Sequence, residues 1–300
     1  MQTRKSPAGV HLFDRNSGLN ILLDELIPAR EEWASAPKTL SIALTNNCNS
    51  CCPCCYIKKD GASLNEDDVL GWAKELNENG GQNIGFGGGE PTLHPGLISL
   101  CKTISASTNL AVTLTTHGLN FTEELAEKLK DSVHFIRISL GGIFQAYEDT
   151  HLRSFTEFQK ILPLIKKTAP IGFNILINSN TLRQIDAMME FALKNDVQEI
   201  LLLPIVSSSG KLLLSGREKE LLSNWINKNY KKRPLSLSAA IGNILSVPIL
   251  PIEDNRGPSY DFLHIDAHGK IKANAFTQNG IEINSSLNLM DAITKLRHIL

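Results

Sequence analysis

From residue 38 to residue 204 the chain alternates between two hydrophobic patterns, and that alternation limits the folds open to it. Short apolar runs at 40–44, 83–86, 111–115, 134–140, 173–177 and 199–204 read as buried strands. Between them lie longer amphipathic stretches, at 65–78, 95–107, 122–130, 154–167 and 181–195, that read as helices. Ser63 with Glu66 three residues on predicts a capping box for the first of these. Thr122 followed by Glu123 and Glu124 opens the third, where acids meet the positive end of the helix dipole. Strands that alternate with helices build a parallel sheet with right-handed crossovers.

The flanks are smaller. Runs at 10–14 and 19–24, separated by Arg15-Asn16-Ser17-Gly18, predict a hairpin over the bottom or an edge of the sheet. After Gly216 a polar helix over 217–230 leads into a basic run at 228–233, read as a solvated face. Strand-like runs follow at 235–238, 247–250, 261–266 and 270–273, with a turn at Ala267-His268-Gly269 and a last helix over 287–299. The expected division is 1–37, 38–210 and 211–300.

The chemistry concentrates directly after the first strand. Five of the six cysteines fall within eight positions, and Cys48, Cys52 and Cys55 among them are spaced C-x3-C-x2-C. Thiolate is the soft ligand that iron–sulfur clusters take, and such a cluster usually takes four. Three on one tight loop leave one iron of a 4Fe–4S cube open to a small molecule. A disulfide knot suits a secreted chain, and the N-terminus has charge but no apolar stretch behind it. Zinc sites pair separated cysteines or add histidines. A ferredoxin pattern through Cys48, Cys51 and Cys54 would need cysteine where Lys58 stands. Cys51 and Cys54 are then spare thiols.

The C-x3-C-x2-C loop at the end of a first strand resembles the radical S-adenosylmethionine (radical SAM) superfamily. So does Gly87-Gly88-Gly89-Glu90-Pro91 after the second strand, which is similar to the family's GGEP motif. An aromatic residue precedes the last cysteine in the family; here Cys54 stands there and Tyr56 follows. The resemblance implies an α/β fold, a partial (β/α)6 TIM barrel with a short N-terminal hairpin and a small α+β C-terminal extension. It implies a 4Fe–4S cluster on Cys48, Cys52 and Cys55, with SAM on the open iron and its amino group held by residues 87–91. Barrel chemistry gathers at the C-terminal strand ends. His117 there is expected to face the mouth, with a structural histidine as the other reading. Arg137-Ile138-Ser139-Leu140-Gly141-Gly142 and His151-Leu152-Arg153-Ser154-Phe155 are similar to the S-L-D-G and H-D-x-x-R-G stretches of peptide-modifying members. The resemblance puts Ser139 near the SAM ribose and Arg153 on the SAM carboxylate, a surface arginine being the alternative. Gly141 replaces the family's aspartate. Asn178 is expected to point into the mouth. Cys101 is either a buried small residue or a hydrogen donor.

The tail from Ile265 to Phe276 resembles the SPASM or twitch extension of the same subgroup, whose auxiliary clusters need cysteines, one of them near Asn274. Only Cys101 lies outside the first loop, so no auxiliary cluster can form from these cysteines. The resemblance implies reductive SAM cleavage and hydrogen abstraction by a 5′-deoxyadenosyl radical, with a reductase or flavodoxin as electron donor. The substrate would be a ribosomally made peptide; a small molecule of cofactor or natural-product biosynthesis and a non-catalytic electron carrier are the alternatives. The first 37 residues are too few for a leader-binding winged helix, so a separate recognition protein is expected. Thirty basic against thirty-one acidic residues create no field for nucleic acid or a membrane surface. No apolar run approaches the length of a bilayer span. A reducing cytoplasm is the expected compartment.

Overall fold

The chain enters its main sheet only at residue 39. The computed structural model describes residues 1–53, 55–205, 213–231, 235–237, 245, 247, 256–284, 286 and 288–300. Cys54, the serine-rich loop at 207–211 and most of the strand expected at 247–250 lie outside the described residues. First come β1 (Gln2–Ser6), β2 (Gly9–Phe13) and β3 (Asn20–Leu23), a small antiparallel sheet. The β2–β3 pair is the expected hairpin. Strand β1 reads QTRKS, with no apolar alternation to mark it. Polar groups hold the sheet in place: buried Arg4 donates to the carbonyls of Gly80 and Tyr260, and Arg15 to those of Thr108 and Leu110. The carbonyls of Gly80, Thr108 and Leu110 precede the second and third strands of the main sheet, and that of Tyr260 precedes its edge strand at Phe262–Ile265, so the small sheet covers its bottom.

Strands β4 (Thr39–Thr45), β5 (Asn83–Gly88), β6 (Ala111–Thr116), β7 (Phe135–Leu140), β8 (Ile171–Ile177) and β9 (Glu199–Pro204) are all parallel and lie side by side in sequence order. They alternate with α1 (Glu66–Glu78), α2 (Leu97–Ser107), α3 (Glu123–Leu129), α4 (Gln145–His151), α5 (Phe155–Thr168), α6 (Ser179–Leu182) and α7 (Ile185–Lys194). Thr122 and Ser154 cap α3 and α5 through their side chains. For α1 the cap is Asn65, whose Oδ1 accepts the Asp67 N–H at 2.7 Å, and not Ser63, which bridges to Thr45. The stretch 181–195 splits into α6 and α7, and α4 is a helix the periodicity does not announce. Helix α8 (Gly216–Asn229) follows, and β10 (Leu235–Leu237) adds a parallel strand to β9. After the short α9 (Pro258–Asp261), β11 (Phe262–Ile265) pairs in parallel with β4 at the opposite edge. Strands β12 (Lys270–Lys272) and β13 (Ile281–Glu282) extend that edge antiparallel, and α10 (Leu289–Ile299) packs beneath them. Among the described residues no helix is long and apolar enough to cross a membrane.

The period-two pattern of each strand gives the sheet two unlike faces. Leu40, Ile42, Ile84, Phe86, Ile136 and Ile138 are fully buried and join Trp72, Leu100, Ile104 and Phe158 of the helices in one core. Each such side chain contributes roughly 1.5–3 kcal/mol by leaving water. The opposite face is small and polar at Ser41, Gly85, Thr113, Thr115, Ser139 and Asn174, and apolar toward β9 at Leu176, Leu201 and Leu203. Arg137 and Glu199 on that face fork together at 3.0 and 2.9 Å across Gly172, which stands between them in register. A Cβ on Gly172 would come within 2.8 Å of the Phe135 ring, over which the Arg137 guanidinium lies.

His264 closes this face at the β4 edge, its Nδ1 3.2 Å from the Ser41 hydroxyl. Burial pulls its pKa down to about 4, the Lys272 cation adds to that, and Asp266 opposes it. An unfolded histidine titrates near 6.5, so between about pH 6.5 and pH 4 the unfolded chain binds the extra proton and stability falls with pH. His264 alone should remove about 2 kcal/mol between pH 7 and pH 5. In urea melts at the two pH values, the drop for His264→Gln should be smaller than that of the parent chain by this amount; equal drops would refute the assignment.

Candidate functional site

The C-terminal ends of β4 to β7 converge on the cysteine loop, and glycines set how closely. Gly88 has φ +116°, and a Cβ there would stand 2.4 Å from the Thr45 carbonyl oxygen. A Cβ on Gly89 would stand 2.3 Å from the Asn47 carbonyl oxygen. Their lack of side chains lets the Gly89 N–H donate to Thr45 O at 2.7 Å and the Glu90 N–H to Asn47 O at 2.8 Å. At Gly87 a Cβ would make only ordinary contact with Thr115. Pro91 is buried and opens the short 3-10 turn Pro91–Leu93. Two glycines thus weld the end of β5 to the base of the cysteine loop.

Glu90 completes the weld. It is fully buried, with Oε1 accepting from Thr92 N–H at 3.1 Å, Thr92 Oγ1 at 2.7 Å and Thr116 Oγ1 at 2.7 Å. Oε2 accepts the His117 N–H at 3.0 Å and lies 3.3 Å from His117 Nε2. The Leu119 N–H donates to His117 Nδ1 at 3.0 Å, so Nε2 carries the ring proton and gives it to Asn49 Oδ1 at 2.9 Å. Asn49 Nδ2 then donates to Asn120 Oδ1 at 2.8 Å, and Asn120 Nδ2 to Thr92 Oγ1 at 2.9 Å. The circuit Glu90–Thr92–Asn120–Asn49–His117–Glu90 is closed. Burial lowers the His117 pKa, Glu90 opposes this and Arg153 adds to it, which keeps the ring neutral near pH 7. Both Glu90 oxygens thus meet protein donors, and His117, 7% exposed, ties the cysteine loop to β6, the structural one of its two readings.

The other predicted residues separate in the same way. Arg153 donates to the Asn49 carbonyl, so its fork grips the cysteine loop. Asn178 caps α6, its Oδ1 accepting from the N–H groups of Asn180 and Thr181 at 2.8 and 3.0 Å. Cys101 is buried in α2, inside the core and away from the mouth, with its thiol pKa pushed up by desolvation. Ser139 stands half-buried on the open face beside Asn174. In the loop, Cys48 and Cys52 are half-buried while Cys51 and Cys55 are exposed. Burial raises the Cys48 pKa, and the Ser50 N–H, 3.4 Å from its sulfur, opposes that. The Cys52 sulfur lies 3.8 Å from His151 Nδ1. Lys59 folds back onto the Ser50 carbonyl and lies 3.7 Å from the Cys51 sulfur. Asn49, Thr92 and Asn120 bind this region together although no pattern in the sequence marks them, and His151, which opens the stretch similar to H-D-x-x-R-G, joins them without having been assigned a role.

The tail touches the same loop. Phe276 packs on Tyr56 with ring centroids 4.8 Å apart, and His268 Nε2 lies 3.1 Å from Asp60 Oδ2. The Asn46 amide, then the Ala62 N–H and His268, draw the Asp60 pKa down to about 2. Asn274, where an auxiliary-cluster cysteine would be expected, spends its Oδ1 on the N–H groups of Phe276 and Thr277 in a local turn.

These residues fit an iron–sulfur cluster. Among the described residues no three His, Cys, Asp or Glu side chains converge on a point that one ion could fill, but a cube takes one thiolate per iron and needs no such point. N–H groups stand near the Cys48 and Cys52 sulfurs. Two buried hydroxyls beside the loop, Ser50 Oγ and Tyr147 Oη, have no hydrogen-bond partner among the described residues, which suits neighbours rich in sulfur acceptors.

Residues 42–192, half of the chain, match the Radical SAM superfamily. The chain is 28% identical over 175 residues to the probable GTP 3′,8-cyclase of Methanocaldococcus jannaschii, covering 54% of this chain and 57% of that protein. It thus spans a little over half of that relative's length. It is 24% identical over 303 residues to the GTP 3′,8-cyclase of Mannheimia succiniciproducens, covering 91% and 86%. In fold it is similar to Streptococcus suis SuiB bound to the precursor peptide SuiA, with a TM-score of 0.72, 14% identity, and 97% and 86% of the two chains covered. The parallel sheet is accordingly the partial barrel that the motifs implied. The chain belongs to the radical SAM superfamily, and it is an enzyme with a 4Fe–4S cluster and S-adenosylmethionine as its cofactors.

Proposed function

We propose that Cys48, Cys52 and Cys55 hold the cluster, that residues 87–91 and Ser139 help to seat SAM, and that the enzyme modifies a peptide. The reduced cluster with SAM bound supplies a 5′-deoxyadenosyl radical able to take hydrogen from an unactivated C–H bond. The chain's own part is to position and to exclude water. Gly88 and Gly89 bring the backbone of β5 against the loop, the Glu90 circuit keeps that loop in register with β6, and Arg153 clamps it from the side of α5. A reductase or flavodoxin would deliver the electron, in a reducing cytoplasm, and a separate protein would present the peptide.

The observation that carries the peptide reading is the charge of the open face. Its arginine, Arg137, is already neutralised by Glu199, while Arg153 and Lys59 are turned toward the cysteine loop, each donating to a backbone carbonyl there, of Asn49 and Ser50. A triphosphate calls for guanidinium or ammonium groups free to bind it. What this face presents instead, Ser41, Thr113, Thr115, Ser139 and Asn174, suits neutral amides. Among the described residues the buried Asn174 Oδ1 has no hydrogen-bond partner, which offers an acceptor for a substrate N–H. A small-molecule reading is favoured by the likeness to a GTP 3′,8-cyclase over 91% of the chain. The two separate cleanly. With the reconstituted enzyme, SAM and dithionite, deuterium from a digest of deuterated peptides should enter 5′-deoxyadenosine, and GTP should be returned unchanged. A cyclised nucleotide from GTP, with no label transfer from peptides, would overturn the peptide reading.

A further inference from the structure

We propose that His151 is a positioning residue that donates a hydrogen bond to the Cys52 sulfur and so raises the reduction potential of the cluster; this rests on Cys52 being a cluster ligand. The direction of the bond follows from the other side of the ring. The Gly141 N–H donates to His151 Nε2 at 2.9 Å, and a backbone amide can only donate. Nε2 therefore carries the lone pair and Nδ1 the proton. Nδ1 is the atom 3.8 Å from Cys52 Sγ, within reach of an N–H to sulfur contact. The backbone carbonyl of His151 lies 4.0 Å from the same sulfur and can be met only by a protonated thiol. Once iron has displaced that proton, the Nδ1 contact remains.

The surroundings are built to hold this ring. His151 is 6% exposed and packs on Tyr147 with ring centroids 4.5 Å apart. The Thr150 hydroxyl donates to the Gly141 carbonyl at 2.8 Å. A Cβ on Gly141 would stand 2.2 Å from Thr150 Cγ2 and 3.1 Å from His151 Nε2, so only glycine admits the ring this close. Helix α4 is bounded by Phe144 at φ +49° and Leu152 at φ +53°, conformations that bulky residues rarely adopt. Such positions are strained and persist where surrounding contacts hold them. An N–H directed at a ligand sulfur withdraws electron density and favours the electron-richer, reduced cluster, one of the levers by which proteins set these potentials.

Two substitutions divide the ring's contacts. His151→Gln can place an acceptor near the Nε2 position for Gly141 but loses the donor toward Cys52. His151→Asn can place an amide N–H near the Nδ1 position but loses the Gly141 contact. After anaerobic reconstitution, the paramagnetic signal of the reduced cluster is titrated against poised potential. For His151→Gln the one-electron reduction constant should fall about tenfold, equivalent to about 59 mV; for His151→Asn it should stay near that of the parent. An unchanged constant in His151→Gln, or equal falls in both variants, overturns the proposal. Failure of His151→Gln to load iron, while the parent loads it, also overturns it and makes the residue a support of the loop. A parent chain that takes up no iron would instead refute the cluster assignment itself.

Discussion

Cys52→Ala should yield a folded protein that takes up no 4Fe–4S cluster and cleaves SAM more than about 100-fold more slowly than the parent, since losing even an outer partner of a metal ligand costs about 10–100-fold. Cys52 is half-buried at a loop position, so trimming it leaves the hydrophobic core untouched and the far-ultraviolet circular dichroism should not change. Cys48→Ala and Cys55→Ala should behave alike. The informative comparison is with the neighbours. Cys51 is exposed and lies near Lys59 rather than His151, and Cys51→Ala should keep its iron and its activity. Cys101→Ala should also load fully, with only the small loss of stability expected of a trimmed core position. Iron and sulfide analysis, with chromatographic measurement of 5′-deoxyadenosine, reads all five variants. Iron retained in Cys52→Ala, or lost equally from Cys51→Ala, would mean that the ligand set has been assigned to the wrong thiols.

What the sequence makes legible here is local. Cys48, Cys52 and Cys55 sit on one loop, so their spacing already describes a site, and the glycines of 87–91 stand next to one another for the same reason. The six central strands are legible because each is apolar on the face that meets the helices, and Glu199–Pro204 has the bounds that its apolar run predicts. Residues whose partners are distant in sequence are not legible in this way. Asn49 meets Asn120 across 71 positions and His117 across 68, and nothing in either neighbourhood marks the pair. Asn178 ends a strand pointing toward the mouth, yet a side chain able to cap the next helix closes a local hydrogen bond instead. The capping box expected from Ser63 and Glu66 does not form: Ser63 bridges to Thr45, and Asn65, a residue type that caps equally well, takes the position. Helix α4 escapes detection because it is short and polar, and its ends are left-handed at Phe144 and Leu152, where periodicity carries no information.

Glu90→Gln tests whether that long-range circuit, and not the glycine motif alone, holds the site together. Both carboxylate oxygens face donors: Oε1 meets Thr92 N–H and two hydroxyls, Oε2 meets the His117 N–H and stands near its ring N–H. An amide has one acceptor end. If its NH2 takes the Oε2 position, it opposes the His117 N–H; if it takes the Oε1 position, it opposes the Thr92 N–H. The hydroxyls can rotate to adapt, but a backbone N–H cannot. One buried donor is therefore left unsatisfied in either orientation and a charge-assisted bond is lost, a cost of about 3 kcal/mol. The urea midpoint of the iron-free protein should fall accordingly, with an unchanged dependence on denaturant. Because Asn49 and the Asn47 carbonyl belong to the cysteine loop, the same variant should load iron incompletely, although every thiol is present. Gly87→Ala, which meets Thr115 only at an ordinary distance, should leave the midpoint nearly unchanged. A Glu90→Gln protein with parental midpoint and full iron content would show that the loop is held by its own backbone contacts to β5, with the buried carboxylate making no net contribution.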